Sequence, residues 1–539
     1  MSAIAEARAG APPAEAEFHL GFRRTMVLVA VMLAMILELI DTSIVNVALP
    51  DMMGNLGATI DEIGWVVTGY IVSNVIIIPM TSWLSGRFGR KRYTTSSILL
   101  FTAASALCGI STSLPELVTF RVFQGLGGGA LLATAQTVMV ESFPPSKQGL
   151  GQGLFGVGAM LGPSLGPTLG GWITDNFSWP WVFYINVPLG LTAAALCALY
   201  LENPPFEHIR RTKSVDYPGI ALLVVGVGAL QTVFERGHRL DWFDSNLITT
   251  LVCVASVSIV LFIWRELTTE EPVVDLSVLR HRNLAIGCVL GVAMGVGLFG
   301  VIFLFPVFAQ TLLGWTAWQT GMAVLPGSLA TAVTMFIAGR LVWNTGPAPL
   351  YIGGAMVFTV ALTSMMHWNT QSGWWDVVPT QVARGLAMGL MFVPLSTATL
   401  RMLPPADVPK AAGLYNLFRQ LGGSFGIAVL GTMLDHRAKV HSAYLAESVT
   451  ALSPLALQRE SALQSMFQSR GLDAATALDA AHRAMGGTLQ RQAMALAFND
   501  AYRFILIAVL VSLPLVLLLR RGPPGGDPAA ARAAAAASH

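Results

Sequence analysis

Fourteen segments of the chain are apolar over about 20 residues each, the length of a helix that crosses the hydrocarbon core of a bilayer. Hydrophobic residues make up 54% of the 539 positions and charged residues 12%, a composition that excludes an ordinary soluble globular protein. We therefore predict an all-α integral membrane protein with fourteen transmembrane helices. The predicted spans are 25–50, 62–84, 93–112, 115–140, 149–173, 179–201, 216–236, 246–264, 283–310, 319–342, 349–368, 374–400, 411–434 and 500–519.

Lysine and arginine cluster in alternate loops, including RFGRKR at 87–92, RRTK at 210–213 and RHR at 280–282. Because basic loops stay in the cytoplasm, this pattern places both termini there. Two of the basic loops bracket a pair of helices and predict a 6+2+6 arrangement. The predicted parts are a cytoplasmic tail (1–24), a six-helix bundle (25–202), a linker with two extra helices (203–282), a second six-helix bundle (283–520) and a disordered cytoplasmic tail (521–539).

A weak internal repeat supports two related bundles. RVFQGLGGGALLATAQTV, from residue 121, and RGLAMGLMFVPLSTATL, from residue 384, both begin with arginine, continue with small residues and precede a Pro-Pro loop. Two such bundles around a midplane site are typical of secondary transporters. Residues 435–499 differ, because they are rich in Ala, Gln, Leu and Ser. They predict short amphipathic helices in the periplasm, either a surface cap or a docking surface for a partner.

Ionisable side chains within a membrane are functional candidates because they are costly to bury. Glu38 and Asp41 lie three residues apart on the first span, with Asn46 near the same face. Arg121 lies at a matched depth on the fourth span and predicts a buried pair with Asp41. The pair is either a proton-binding carboxylate coupled to conformation or a structural ion pair, and Glu38 either binds protons or contacts substrate. The other intramembrane cations are Arg384 and Arg419. For them, helix packing or descent from the internal repeat is as good an explanation as a role in transport.

The fifth span carries the spacing G-x8-G-x3-G-P-x2-G-G, formed by Gly153, Gly162, Gly166, Pro167, Gly170 and Gly171. Gly158, Gly162, Gly166 and Gly170 recur every four residues and leave one helix face without side chains. Such a face allows a close approach of two membrane helices, and proline allows bending. We expect a flexible interface between the two bundles. In the loop SWLSGRFGRKRYT at 82–94, the residues Arg87, Gly89 and Arg90 form either a topology anchor or a gate.

These motifs resemble those of the major facilitator superfamily, in particular the fourteen-helix drug:proton antiporters. The glycine pattern resembles their antiporter motif, IDTSIVNVALP (40–50) their first-helix motif and RVFQGLGGGA (121–130) their fourth-helix motif. The loop at 82–94 resembles the superfamily loop motif but has Gly86 in place of Asp and Ser82 in place of Gly. WPWVFYINVPLG (179–190), GWTAWQTGMAVLPG (314–327) and RQLGGSFGIA (419–428) are similar to EmrB-type exporters.

The resemblance implies a proton-driven exporter of hydrophobic toxic compounds in the bacterial inner membrane. It also implies a periplasmic membrane-fusion adaptor, an outer-membrane channel and no cofactor beyond the proton gradient. Alternatives are a dedicated exporter of one metabolite, siderophore or lipid, and a non-transporting sensor or scaffold. No cluster of His, Cys or acidic ligands predicts a metal site or an enzyme, and nothing predicts nucleic-acid binding. Substrate-binding candidates are Glu38, Asn46, Gln124, Phe305, Phe308, Gln310, Met388, Met391 and Phe392.

Overall fold

The structure is a computed structural model, and it describes residues 21–144, 147–203, 215–401, 403–404, 406–450 and 453–519. The tail at 521–539, the loop at 210–213 and parts of both Pro-Pro loops lie outside these residues. The first eight long helices are α1 (Phe22–Leu56), α2 (Trp65–Phe88), α3 (Arg90–Ile110), α4 (Leu114–Glu141), α5 (Gln148–Asn176), α6 (Asn186–Tyr200), α7 (Tyr217–Arg236) and α8 (Asn246–Thr268).

The second part of the chain continues with six more long helices. They are α9 (Arg282–Thr311), α10 (Ala317–Thr345), α11 (Pro347–Met365), α12 (Trp374–Leu400), α13 (Val408–Glu447) and α14 (Ala474–Val516). Single turns at Ile60–Ile63 and Trp181–Tyr184 precede α2 and α6, and the helix Pro454–Ser469 links α13 to α14.

The fold class is confirmed, whereas the count of fourteen spans is not matched in full. Among the described residues, thirteen helices are long and apolar enough to cross a membrane. The one predicted span outside this set is α5, a continuous helix of 29 residues. Glycine and proline lower its hydropathy, but in a bilayer a glycine-rich helix persists because no water competes for its backbone.

Both bundles repeat one packing pattern. In the first bundle (α1–α6), α1 packs on α5, and α4 packs on α2 and α3. In the second bundle (α9–α14), α9 packs on α13, and α12 packs on α10 and α11. Helices that correspond in the sequence repeat therefore have corresponding neighbours.

The bundles meet along α5 with α10 and along α13 with α2 and α4. We call the end of the molecule that holds the 87–92 loop the inner end and the opposite end the outer end. The extra helices α7 and α8 pack on each other, and α7 contacts both α2 and α13. Gln231 of α7 donates a hydrogen bond of 2.7 Å to Ser424 of α13. The first linker helix, α7, thus contacts both bundles.

The outer part of the second bundle differs from the predicted set of short helices. Instead, α13 and α14 continue as unbroken helices of 40 and 43 residues, and only Pro454–Ser469 is short. Asp500 of α14 accepts a 2.5 Å hydrogen bond from Arg437 of α13, and His441 Nε2 lies 2.8 Å from the same oxygen. These contacts hold the two helical extensions side by side. The amphipathic sequence therefore extends the two long helices instead of forming separate short ones.

Candidate functional site

Asp41 and Arg121 form a buried ion pair inside the first bundle. The Nη1 atom of Arg121 lies 2.5 Å from Oδ2 of Asp41, and the side chains are 1% and 0% exposed. Arg121 also donates from Nε to the Val66 carbonyl at 3.1 Å. The structure therefore brings together α1 and α4 at the two residues that the sequence singles out.

Two amide side chains complete the coordination of Asp41. Gln124 Nε2 and Asn186 Nδ2 each donate to Oδ1 at 2.8 Å. Both amides also donate to Ser105 Oγ, at 3.1 and 3.0 Å. Asp41 thus connects α1 to α4 and α6 through one carboxylate, and Ser105 adds α3.

Aromatic rings enclose the guanidinium of Arg121. Its central carbon lies 4.1 Å from the centroid of Tyr70 and 5.8 Å from that of Phe183. A cation over a ring face is stabilised by the quadrupole of the ring, and the rings exclude water. The ion pair is therefore held in a dry environment, where a change of charge on Asp41 has a large energetic effect.

Glu38 lies one helical turn from Asp41 and belongs to a second polar group. Asn74 of α2 donates to Glu38 Oε1 at 3.0 Å. Among the described residues, Glu38 Oε2 and the Tyr70 hydroxyl are buried without a hydrogen-bond partner. Glu38 also interacts electrostatically with Arg419 of α13, a residue of the other bundle.

A chain of buried polar side chains crosses from the first bundle to the second. Gln136 of α4 donates to Gln152 of α5 at 3.3 Å and accepts from Asn416 of α13 at 2.5 Å. Arg419 donates to the side-chain amide oxygen Oδ1 of Asn416 at 3.0 Å. Gln136 and Asn416 lie on the inner half of α4 and α13, so these contacts hold the bundles together on the inner side.

The glycine stripe of α5 packs on α1, and the expectation that it forms the interface between the bundles is wrong. A Cβ on Gly166 would lie 3.0 Å from the Ile44 nitrogen, and one on Gly162 would lie 3.3 Å from the Leu39 carbonyl carbon. Gly158 and Gly170 also face α1. The four-residue spacing selects one helix face, and that face covers the segment of α1 that carries Glu38 and Asp41.

A different face of α5 meets the second bundle. A Cβ on Gly153 would lie 2.9 Å from the Met335 carbonyl oxygen of α10, and one on Gly149 would lie 2.9 Å from Trp343 Nε1. Of the motif residues, Gly153 therefore serves the interface between the bundles. Pro163, Pro167 and Gly171 lie within the same continuous helix. One helix thus contacts both the α1 segment that carries the two acids and the opposite bundle.

The loop between α2 and α3 is a single residue, Gly89, with φ +82°. This left-handed conformation favours glycine and allows the abrupt reversal. Arg90 forms a bidentate ion pair with Glu141 at the end of α4, and Arg87 lies over the Trp83 ring at 5.8 Å. Arg90 therefore meets an acid of another helix, which is the kind of contact that a gate requires.

Apart from Glu38, the predicted substrate-binding residues fall into four groups in the structure. Phe392 stacks on Phe155 of α5 at 6.0 Å, so it lies between the bundles. Asn46 and Gln310 are exposed towards the outer ends of α1 and α9. Gln124 belongs to the Asp41 site. The remaining candidates are buried inside the second bundle: Phe305, Phe308, Met388 and Met391.

The substrate-binding candidates Phe305 and Phe308 lie inside the second bundle rather than between the two bundles. Their rings pack against Trp368 at 5.9 and 5.4 Å, and Phe308 also meets Phe498 of α14 at 5.3 Å. The two side chains are 1% and 0% exposed, because neighbouring aromatic rings fill the surrounding space.

Sequence reasoning missed Asn186, Ser105 and Asn74 as members of the site. Asn186 stands at the start of α6 in an otherwise apolar stretch, so an isolated amide in a span was an available signal. Ser105 carried no such signal, because serine is common in membrane helices and bonds to its own backbone.

Comparisons with known proteins agree with this architecture. The family model described as Major Facilitator Superfamily matches residues 31–427. The multidrug export protein EmrB of Escherichia coli (strain K12) is 35% identical over 452 residues, 83% of this chain and 87% of the relative. The fatty acid resistance protein FarB of Neisseria gonorrhoeae is 33% identical over 78% of this chain and 83% of its own length. The crystal structure of the human organic anion transporter MFSD10 (TETRAN) shares the fold at 12% identity, with a TM-score of 0.56 over 90% of this chain and 99% of that one.

Proposed function

Because the chain belongs to the major facilitator superfamily, we propose that it exports small hydrophobic or amphiphilic compounds in exchange for protons. Relatives that match most of the chain are named for multidrug export and fatty acid resistance, which supports export as the direction of transport. The observation that carries proton coupling is the fully buried Asp41 carboxylate, held by a guanidinium and two amides. Its charge is the one that a proton can remove, since arginine stays charged.

The proposed coupling begins with the bond between α1 and α4. Charged Asp41 attracts Arg121 strongly in a dry site, whereas a protonated Asp41 loses most of this attraction. Protonation thereby frees α1 to move relative to α4 and α6. The close packing of α1 on the glycine stripe transmits this motion to α5, because interlocked helices shift together.

From α5 the motion reaches the second bundle through α10. Gly153 and Gly149 bring the α5 backbone against α10, and Phe155 stacks on Phe392 of α12. Glu38 lies next to this path and interacts with Arg419 of the opposite bundle. We assign Glu38 to the same coupling, with substrate contact as its second role. Alternating access then follows from rocking of the two bundles around the central site.

In this proposal the protein lies in the bacterial inner membrane with both termini in the cytoplasm. The outer extensions of α13 and α14 then enter the periplasm, where they support a partnership with a membrane-fusion adaptor and an outer-membrane channel. The Arg87, Gly89 and Arg90 loop becomes the cytoplasmic gate element. Phe392 and Asn46 are the substrate-binding candidates that this geometry favours.

Proton coupling is tested with purified protein in proteoliposomes that contain a pH-sensitive dye. Addition of an exported compound is expected to release protons with the natural protein and not with Asp41→Asn. Asp479→Asn is the control, because Asp479 is an exposed acid on the outer extension of α14. Substrate-induced proton release by Asp41→Asn that equals the control would refute the assignment.

The substrate range is tested in an efflux-deficient strain with a panel of toxic compounds, with and without a co-expressed adaptor. Protection against chemically unrelated compounds supports multidrug export. Protection against one compound alone would instead establish a dedicated exporter, and an effect that is independent of the adaptor would remove the tripartite assembly from the proposal.

A further inference from the structure

Arg384 is a buried cation of the second bundle, and no carboxylate of the described residues forms an ion pair with it. The residue is 6% exposed on α12, and its Nε donates to Gln381 Oε1 at 2.7 Å. Among the described residues, this is the one side-chain hydrogen bond of Arg384. The repeat partner Arg121 has Asp41 at 2.5 Å, so the two bundles treat their corresponding arginines differently.

The sequence of the second bundle explains the missing counter-charge. Between His281 and Leu400, Asp376 is the only acidic residue. It precedes Arg384 by eight positions, about 12 Å along the helix axis, and its carboxylate accepts from the Gly373 amide at 2.8 Å. Asp500, the acid of α14 nearest in sequence to Tyr502, is also engaged, because it binds Arg437 and His441.

The polar atoms around Arg384 that lack partners are hydrogen-bond donors. Gln381 Nε2 is buried without a partner, and its amide orientation is set because Oε1 accepts from Arg384. The Tyr502 hydroxyl of α14 is also buried without a partner and interacts electrostatically with the guanidinium. Gln381 and Tyr502 are 1% and 0% exposed. A buried cation, together with an amide N–H and a phenol O–H that both lack an acceptor, suits a bound anion.

We propose that Arg384, Gln381 and Tyr502 form a binding site for a singly charged anionic group within the second bundle. The anion supplies the negative charge that Asp41 supplies in the first bundle, and it accepts hydrogen bonds from all three side chains. Two sources share this chemistry, the carboxylate of an amphiphilic compound and an inorganic anion such as chloride.

The surroundings of Tyr502 favour the amphiphilic source. Its ring lies 5.9 Å from Trp368, which packs in turn against Phe305 and Phe308. The rings fill this space in the present structure, so an apolar chain attached to a carboxylate enters only as they move apart, and it then packs on aromatic surface next to the charged group. For an exported carboxylate this inference rests on the proposed export function, whereas binding itself does not require transport.

The test measures scintillation proximity binding of radiolabelled laurate and, separately, of radiolabelled chloride to the purified full-length protein. We expect saturable laurate binding that unlabelled dodecyltrimethylammonium, with the same chain length and the opposite charge, does not displace. Arg384→Gln should weaken anion binding at least about tenfold, the effect of losing a charge-assisted hydrogen bond. Arg384→Lys should retain part of the binding.

Arg340→Gln is the matched control, because it removes one positive charge from α10 at a residue whose guanidinium stacks on Phe336. Should Arg384→Gln fail to fold, Tyr502→Phe removes one donor and is expected to weaken binding several-fold. Saturable laurate binding that depends on Arg384 assigns the site to a carboxylate amphiphile. Chloride binding alone that depends on Arg384 supports the site with an inorganic occupant.

Equal anion binding by the natural protein and Arg384→Gln, or no saturable binding of either anion, would overturn the proposal. The assay also separates this site from proton-driven export. Laurate binding by Asp41→Asn, together with loss of proton release, is expected if both proposals hold. Arg384-dependent binding without proton coupling in the natural protein would refute the export mechanism and leave the anion site in place.

Discussion

Replacement of Asp41 by asparagine and of Arg121 by glutamine, singly and together, measures what the buried pair contributes to the first bundle. Asp41→Asn leaves a guanidinium that is 1% exposed without its counter-charge, while Val66 and Gln124 still accept from it. Breaking a buried ion pair by removing one partner costs about 3–5 kcal/mol, and the two remaining acceptors place this variant near the lower value.

The other two variants complete the cycle. In Arg121→Gln, Asp41 keeps its bonds from Gln124 and Asn186 and can take up a proton, so we expect a loss of about 2 kcal/mol. The double variant contains no unpaired charge and loses chiefly the hydrogen bonds from Arg121 to Val66 and Gln124. At about 1 kcal/mol for each bond, its loss is about 2 kcal/mol. The coupling energy between the two residues is then about 3 kcal/mol.

The assay is unfolding of the purified protein in mixed micelles by increasing mole fractions of sodium dodecyl sulfate, followed by tryptophan fluorescence. The double variant should be more stable than Asp41→Asn, although all three variants should lack substrate-induced proton release. Additive losses, with the double variant the least stable, would show that the pair does not contribute as a buried ion pair and would refute the reasoning. Recovery of proton release in the double variant would exclude Asp41 as the proton site.

Two further predictions concern other parts of the molecule. Gly166→Ala should reduce proton release and lower stability by about 1–3 kcal/mol through overpacking, because its Cβ would lie 3.0 Å from the Ile44 nitrogen. The control Gly486→Ala has nothing within 4 Å of its Cβ and should reduce neither quantity, since alanine is more favourable than glycine in a helix. Partial burial opposes ionisation of Asp275, but hydrogen bonds from Lys410 at 2.8 Å and from Ser277 outweigh it and lower the pKa of the carboxyl group. Its stabilising contribution is therefore present above the ordinary aspartate pKa of about 3.9 and is lost as the pH falls through the lower folded-state pKa. Unfolding titrations should show that natural protein loses more stability than Asp275→Asn between neutral pH and pH 3, and parallel pH profiles would contradict this.

The sequence predicted the fold class and the family, and both are confirmed. Apolar length, basic loops and the Arg121 and Arg384 repeat carry information about topology because a bilayer imposes the same length and charge rules on every span. The pairing of Asp41 with Arg121 could be predicted for a related reason. Few charged side chains are tolerated in membrane spans, and opposite charges at equal depth tend to pair.

The partners of the glycine stripe and the position of the aromatic candidates could not be predicted. Four-residue spacing identifies a helix face but not the helix that covers it, so α1 and the opposite bundle were equally available to Gly158 through Gly170. The aromatic residues Phe305 and Phe308 fit either a cavity or a packed core by composition. The choice depended on Trp368 and Phe498, which lie far away in sequence and reach the cluster through tertiary packing.

The length of α13 and α14 amplifies any motion of the second bundle. At 1.5 Å per residue, the 40 residues of α13 span about 60 Å, twice the thickness of a hydrocarbon core. The bonds from Arg437 and His441 to Asp500 make α13 and α14 move as one rod beyond the membrane. A tilt of about 10° in the bundle displaces a tip about 30 Å away by about 5 Å, the rise of one helical turn. Rocking that is small at the bilayer midplane therefore becomes a displacement large enough for a protein in contact with the tip to detect.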